Sequence, residues 1–172
     1  MTVYVAFLRA VNVGGTGKLP MAELRAMCES VGFTQVRTYI ASGNVVFDSA
    51  LDEPGVKRLL ERCLATYANK PVGVLIRTGA ELAAVLATNP FKFTAPNRTV
   101  AIFLDAPPPA DALDKASGQQ QEEMALGTRE IYVHYGSGMA RSKLKIPAAS
   151  AGTARNINTV ATLVEWTTKN GQ

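Results

Sequence analysis

The sequence predicts an α+β fold in two halves, closed by a C-terminal helix. Three observations predict it. Short apolar runs alternate with longer segments of helical period through residues 1–90. A cluster of breakers, from Asn89-Pro90-Phe91 to Pro96, then punctuates the chain. Beyond it a strand-rich series begins again, which places one half at 1–90 and the other at 97–172.

The first half reads βαββαβ. Val3–Leu8 is an apolar strand. Pro20 suits the first turn of a helix, where its missing N–H costs nothing, and Leu24, Met27, Cys28 and Val31 recur at i, i+3, i+4 and i+7 before Gly32 stops it. Strands Val36–Ile40 and Val45–Phe47 follow, joined by Ala41-Ser42-Gly43-Asn44, in which Gly and Asn supply turn geometry. Asp52-Glu53-Pro54 opens a second helix with Val56, Leu59, Leu60, Cys63, Leu64 and Tyr67 on one face, and Val72–Ile76 is the fourth strand. This is the ferredoxin-like split βαβ order. In it strand three returns between strands one and two, so the end of strand one and the turn between strands two and three share one edge of the sheet. Arg9–Lys18 and Ser42-Gly43-Asn44 are therefore predicted neighbours. Thr78-Gly79-Ala80-Glu81 is a capping box for a third helix with Leu82, Val85 and Leu86 inside.

The second half reads as strand Thr99–Leu104, a weak helix after Pro107-Pro108-Pro109, and strands at Glu123–Leu126 and Ile131–Tyr135. By element order it is a degenerate second copy of the first. Gly152-Thr153-Ala154-Arg155-Asn156 is predicted to open the last helix, whose Ile157, Val160, Ala161 and Val164 form one face, widened by Leu163 and Trp166.

Composition excludes several classes. A 47% hydrophobic fraction over 172 residues suffices for a proper core. The excess of 18 Lys+Arg over 14 Asp+Glu, a net charge of +4, permits a phosphorylated or nucleic-acid ligand without demanding one. The apolar start is cut by Arg9, too short for a signal peptide, and no run spans a bilayer, so the expectation is a cytoplasmic chain with no membrane partner. A single histidine, His134, rules out a His-based metal site, and alternation gives it a structural or surface role. Cys28 and Cys63 sit on helical core stripes, and both are predicted buried and slow to react.

Four segments carry candidate chemistry, each with a plainer alternative. A helix start offers unpaired N–H groups and partial positive charge, so Arg155 and Asn156 there would complete an anion cradle; the alternative is a cap or an ion pair between the halves. Gly14-Gly15-Thr16-Gly17-Lys18 fails as a phosphate-binding P-loop, because Asn12 stands at its first glycine position and Leu19 where a hydroxyl must bind magnesium. It remains a glycine-rich loop able to nest an anion between Arg9 and Lys18, or a tight connector. Ser42, Gly43 and Asn44 are polar groups on the predicted shared edge, or ordinary hairpin residues. Arg141-Ser142-Lys143 offers phosphate contacts from Arg141 and Lys143, or a solvated basic face.

Leu8-Arg9-Ala10-Val11-Asn12-Val13-Gly14-Gly15, Thr38 to Val45, Gly138-Met139-Ala140-Arg141-Ser142-Lys143-Leu144 and Gly152 to Thr159 together resemble a bacterial family of uncharacterised proteins, domain of unknown function sixteen ninety-seven. The resemblance implies a duplicated α+β, ferredoxin-like architecture and carries no activity. Ala154 and Ile157 stand where the family's last motif has Thr and Trp.

Three functional readings follow. The first is a module binding a phosphate-bearing ligand, nucleotide or nucleic acid, in a cleft between the halves through Arg9, Asn12, Gly14, Gly15, Lys18, Ser42, Gly43, Asn44, Arg141, Lys143, Arg155 and Asn156. The second is an enzyme acting on a small phosphorylated or carboxylated metabolite by electrostatic clamping, with Ser42 or Asn44 as polar participants. In the third, the polar motifs lock the fold. The residues leave the identity of any cofactor open.

Overall fold

The computed structural model describes residues 1–9, 19–40, 43–92, 96–136 and 141–170. These residues form an α+β protein with two four-stranded antiparallel sheets and four α-helices. The chain divides into two compact units, Met1–Leu82 with Leu163–Gln172, and Ala83–Thr162. The division falls inside two helices, whereas sequence punctuation marks residues 90–97.

In the first unit the order is β1 (Thr2–Leu8), α1 (Met21–Ser30), β2 (Thr34–Tyr39), β3 (Asn44–Ser49), α2 (Glu53–Ala68) and β4 (Val74–Thr78), with strands arranged β2-β3-β1-β4. β1 is apolar from Val3 onward, and from Tyr4 both its faces are buried: Tyr4, Ala6 and Leu8 on one, Val5 and Phe7 on the other. The first of these faces joins Leu24 and Cys28 of α1, Val56, Leu60 and Leu64 of α2, and the stacked rings of Phe33 and Phe47, 4.3 Å apart. Asp52 caps α2 by accepting from the Gly55 N–H at 3.0 Å, and Asn69 ends it in the left-handed region at φ 56°.

The capping box on α3 (Gly79–Ala87) forms as the sequence predicts. Thr78 N–H donates to Glu81 Oε1 at 2.8 Å, and Glu81 N–H to Thr78 Oγ1 at 3.1 Å. The last turns of α4 (Ile157–Asn170) belong to this unit and meet β2 and the start of α3. There the Arg37 guanidinium lies 4.4 Å from the Trp166 ring centre and donates to the Trp166 carbonyl at 3.1 Å, while Tyr39 meets the same ring edge-on at 5.2 Å. Gly79 admits Thr167: a Cβ at residue 79 would stand 2.9 Å from Thr167 Cβ.

The second unit holds β5 (Thr99–Phe103), β6 (Glu123–Leu126), β7 (Glu130–His134) and β8 (Thr153–Asn156), arranged β6-β7-β5-β8. Its strand order repeats that of the first sheet, with β5 in the place of β1. Two expectations are corrected here. The weak helix after Pro107-Pro108-Pro109 is a run of turns closed by Ala112 N–H to Pro109, Asp114 N–H to Asp111 and Ala116 N–H to Leu113 at 3.0–3.2 Å. Each of these bonds spans three residues, so no ladder of the i to i−4 kind forms. Leu113 and Ala116 instead dock directly onto the core of Leu104, Ile131, Val133 and Ile146. The second correction concerns Gly152–Asn156, which does not open α4: Thr153–Asn156 is a strand paired to β5, and the helix begins at Ile157. Pairing with the open side of β5 satisfies backbone groups that a helix start would leave unpaired.

Cys28 is fully buried, but Cys63 is only half-buried and lines a shallow groove between α1 and α2 with Met27 and Tyr67. The predicted stripe of α2 is wider than the face it buries, so its flank reaches solvent. Burial pushes the Cys28 thiol up to about 12. A thiol reagent near pH 8 is therefore expected to label Cys63 quickly and Cys28 only on unfolding; two fast thiols in the native protein would overturn the packing of α1. Because the folded Cys28 pKa lies above its ordinary 9.0, the unfolded chain loses this proton first. Its contribution is intact below pH 9 and falls by about 1.4 kcal/mol per pH unit between 9 and 12, a slope that Cys28→Ala should remove.

Candidate functional site

The edge predicted from strand topology exists in the first unit. Leu8 N–H donates to the Gly43 carbonyl and Arg9 N–H to the Gly73 carbonyl, each at 2.9 Å, so the end of β1, the turn before β3 and the loop before β4 meet. Gly73 is small for a reason: a Cβ there would lie 3.0 Å from Arg9 Cδ, so the arginine stem rests on the glycine. Gly43 holds φ +86°, and Ile40, an exposed β-branched residue at 52% accessibility, holds φ +49°. That conformation costs an L-residue about 1–2 kcal/mol. Sequence reasoning did not single out Ile40, since nothing local marks it. Backbone strain gathers at functional turns, and this strained residue adjoins the candidate edge. Asn12, Gly14, Gly15, Lys18 and Ser42 lie outside the described residues. Asn44 is fully buried and donates through Nδ2 to the Tyr39 carbonyl at 2.9 Å, which closes the hairpin.

Arg155 belongs to the second unit. It is 7% exposed, and its guanidinium donates through NH1 to Thr153 Oγ1 at 2.8 Å and to the Ala154 carbonyl at 2.9 Å. Burial lowers its pKa to about 10, a measure of how thoroughly its charge is desolvated. Asn156 caps α4: its Oδ1 accepts from Asn158 N–H and its Nδ2 donates to the Asn97 carbonyl, both at 2.9 Å. The cap residue thus takes up one of the helix-start donors that an anion would use.

The first unit contains a counterpart that sequence reasoning missed. Arg77, 1% exposed, pairs across the sheet with Val5 as Arg155 pairs with Ala101. Each arginine bonds back through NH1 to the carbonyl of the preceding residue, at 2.8 Å for Arg77 and 2.9 Å for Arg155. Each precedes the capping residue of the next helix, Thr78 for α3 and Asn156 for α4. Aligning Arg77-Thr78 with Arg155-Asn156 would have revealed the pattern.

Arg141 and Lys143 are exposed, whereas Ser142 between them turns inward and donates to Glu122 Oε2 at 2.7 Å. Hydrogen bonds from the Gln120 N–H and then from Ser142 hold the Glu122 carboxyl below its ordinary range. His134 shares a 2.8 Å hydrogen bond with Thr99 and stacks on Phe91, the structural role its position predicts. Among the described residues no group of three or more His, Cys, Asp or Glu side chains could hold a metal ion, and no helix is long and apolar enough to cross a membrane.

The sequence profile of the family described as "Protein of unknown function (DUF1697)" matches residues 1–132. The chain belongs to this family. The matched span takes in the whole Arg9, Gly43 and Gly73 edge and ends at Tyr132, before the Arg141 and Arg155 segments. Among solved structures, the conserved bacterial protein SP0830 from Streptococcus pneumoniae is similar in fold, with 22% identity and a TM-score of 0.79 over 96% of this chain and 98% of that one. No curated protein matches the chain.

Proposed function

We propose that this DUF1697 chain binds a phosphate-bearing ligand, such as a nucleotide, at the β1 edge of its first unit, with Arg9 as the charged contact. The observation that carries the reading is the pair of backbone bonds from Leu8 and Arg9 to Gly43 and Gly73, which fix the end of β1 between the Gly43 turn and the loop before β4. Asn12, Gly14, Gly15 and Lys18 continue the chain directly from Arg9, and Ser42 directly precedes Gly43. Donors on glycine-rich turns beside an arginine fork suit phosphate oxygens, which accept bidentate bonds. The reading includes a cytoplasmic setting, where nucleotides are abundant and thiols stay reduced. It also takes the βαββαβ unit with strands β2-β3-β1-β4 as ferredoxin-like, and the second unit as a degenerate copy in which a run of turns stands between β5 and β6 in place of the first helix.

Titrating ATP and inorganic phosphate into the wild type and Arg9→Ala tests this. Loss of the arginine is expected to weaken binding by about 1.5–3 kcal/mol with little change in melting temperature. Equal affinity for the two proteins would remove Arg9 from the site. A second reading, favoured by the burial and internal bonding of Arg155, takes the terminal motif as architecture rather than ligand contact.

A further inference from the structure

We infer that residues 141–145 of the second unit form a separate docking strip for the phosphate backbone of a nucleic acid. The segment alternates strictly. Arg141, Lys143 and Lys145 are exposed, while Ser142 and Leu144 between them are partly buried and Ile146 beyond them is buried. None of the three cationic side chains makes a hydrogen bond or ion pair among the described residues, although ion pairs such as Lys57–Glu61 and Lys115–Asp111 form elsewhere. Three like charges on one side of a segment add their fields and draw an anionic partner toward it.

The backbone beneath them is fixed at successive points. Ser142 bonds to Glu122 and accepts the Leu144 N–H at 3.2 Å. Lys145 exchanges both backbone hydrogen bonds with Ser117, at 2.8 and 2.9 Å. Gly118, at φ +73°, lets the two segments approach so closely that a Cβ there would fall 2.1 Å from the Lys143 carbonyl oxygen. Leu144 and Ile146 anchor the inner side in the core with Ile131 and Val133. The carboxylate nearest in the hydrogen-bond network, Glu122, is already engaged by Ser142 and Gln120.

Side chains two residues apart project from Cα atoms no more than about 7 Å apart, close to the separation of neighbouring phosphates along one nucleic-acid strand. A regular anion series is what such a comb fits. A lipid surface is a poorer match, because none of the exposed large hydrophobic residues among those described lies on this segment to enter a bilayer. Carboxylates of an acidic protein carry such a repeat only where acids alternate along an extended strand, whereas every nucleic-acid strand carries it. No aromatic platform accompanies the cations, so recognition is of backbone and not of base sequence. The strip does not depend on the Arg9 edge.

Binding of a fluorescent single-stranded 20-mer, and of its duplex, is measured against salt concentration for the full chain and for the triple variant Arg141→Ser, Lys143→Ser, Lys145→Ser. Three phosphate contacts give a slope of log K against log salt that the triple variant should reduce by about 2–3, and each single substitution by about 1. Because all three positions are exposed, circular dichroism and melting should match the wild type. Ser142→Ala, which removes the anchor and no charge, should weaken binding severalfold. The inference is overturned if a folded triple variant keeps the wild-type slope, if neither oligonucleotide binds at 50 mM salt, or if anionic vesicles bind and oligonucleotides do not.

Discussion

Phe47→Ala is expected to destabilise the protein by about 3–5 kcal/mol. The ring is fully buried at the centre of the first unit, stacked on Phe33 at 4.3 Å and 6.0 Å from Tyr4. β3 holds it between β2 and β1, where neither neighbour can shift to fill the space without breaking a ladder of paired residues. Phe47→Leu keeps most of the volume and should cost about 1–2 kcal/mol. Urea melts decide the matter: the midpoint should fall with the slope unchanged, since the folded state is altered only at the cavity. A loss below about 1.5 kcal/mol for the alanine variant would mean that the core relaxes around the site.

Arg155→Ala is expected to cost about 2–4 kcal/mol: a long buried side chain leaves a cavity and strips Thr153 and Ala154 of a charged donor, offset in part by relief of its desolvation. Arg155→Met separates packing from charge. It refills much of the volume without the buried cation, and replacing a desolvated charge by an apolar chain is often neutral or better. If Arg155 is architectural, the methionine variant should recover most of the stability, and phosphate affinity should be unchanged in both variants. If instead both fold like the wild type and lose phosphate affinity, the terminal motif contacts ligand and the architectural reading fails. The same pair at Arg77 should behave alike, because the two arginines occupy equivalent positions in the two sheets.

Sequence alone determined the βαββαβ order of the first half, the capping box at Thr78 and Glu81, and the meeting of the end of β1 with the turn before β3. Each rests on a local rule: apolar period, a four-residue cap, or the path that alternating elements force on a short chain. Tertiary structure decided the rest. The segment Thr153–Asn156 carries helix-start residues, yet it became a strand because β5 offered it a ladder of backbone partners. Whether Cys63 faced core or solvent depended on how wide a face α2 buries, which helical period leaves open. The interior positions of Arg77 and Arg155 were invisible for a like reason. An arginine in a strand is ordinarily read as exposed, and only packing on both faces of a sheet can put such a charge inside.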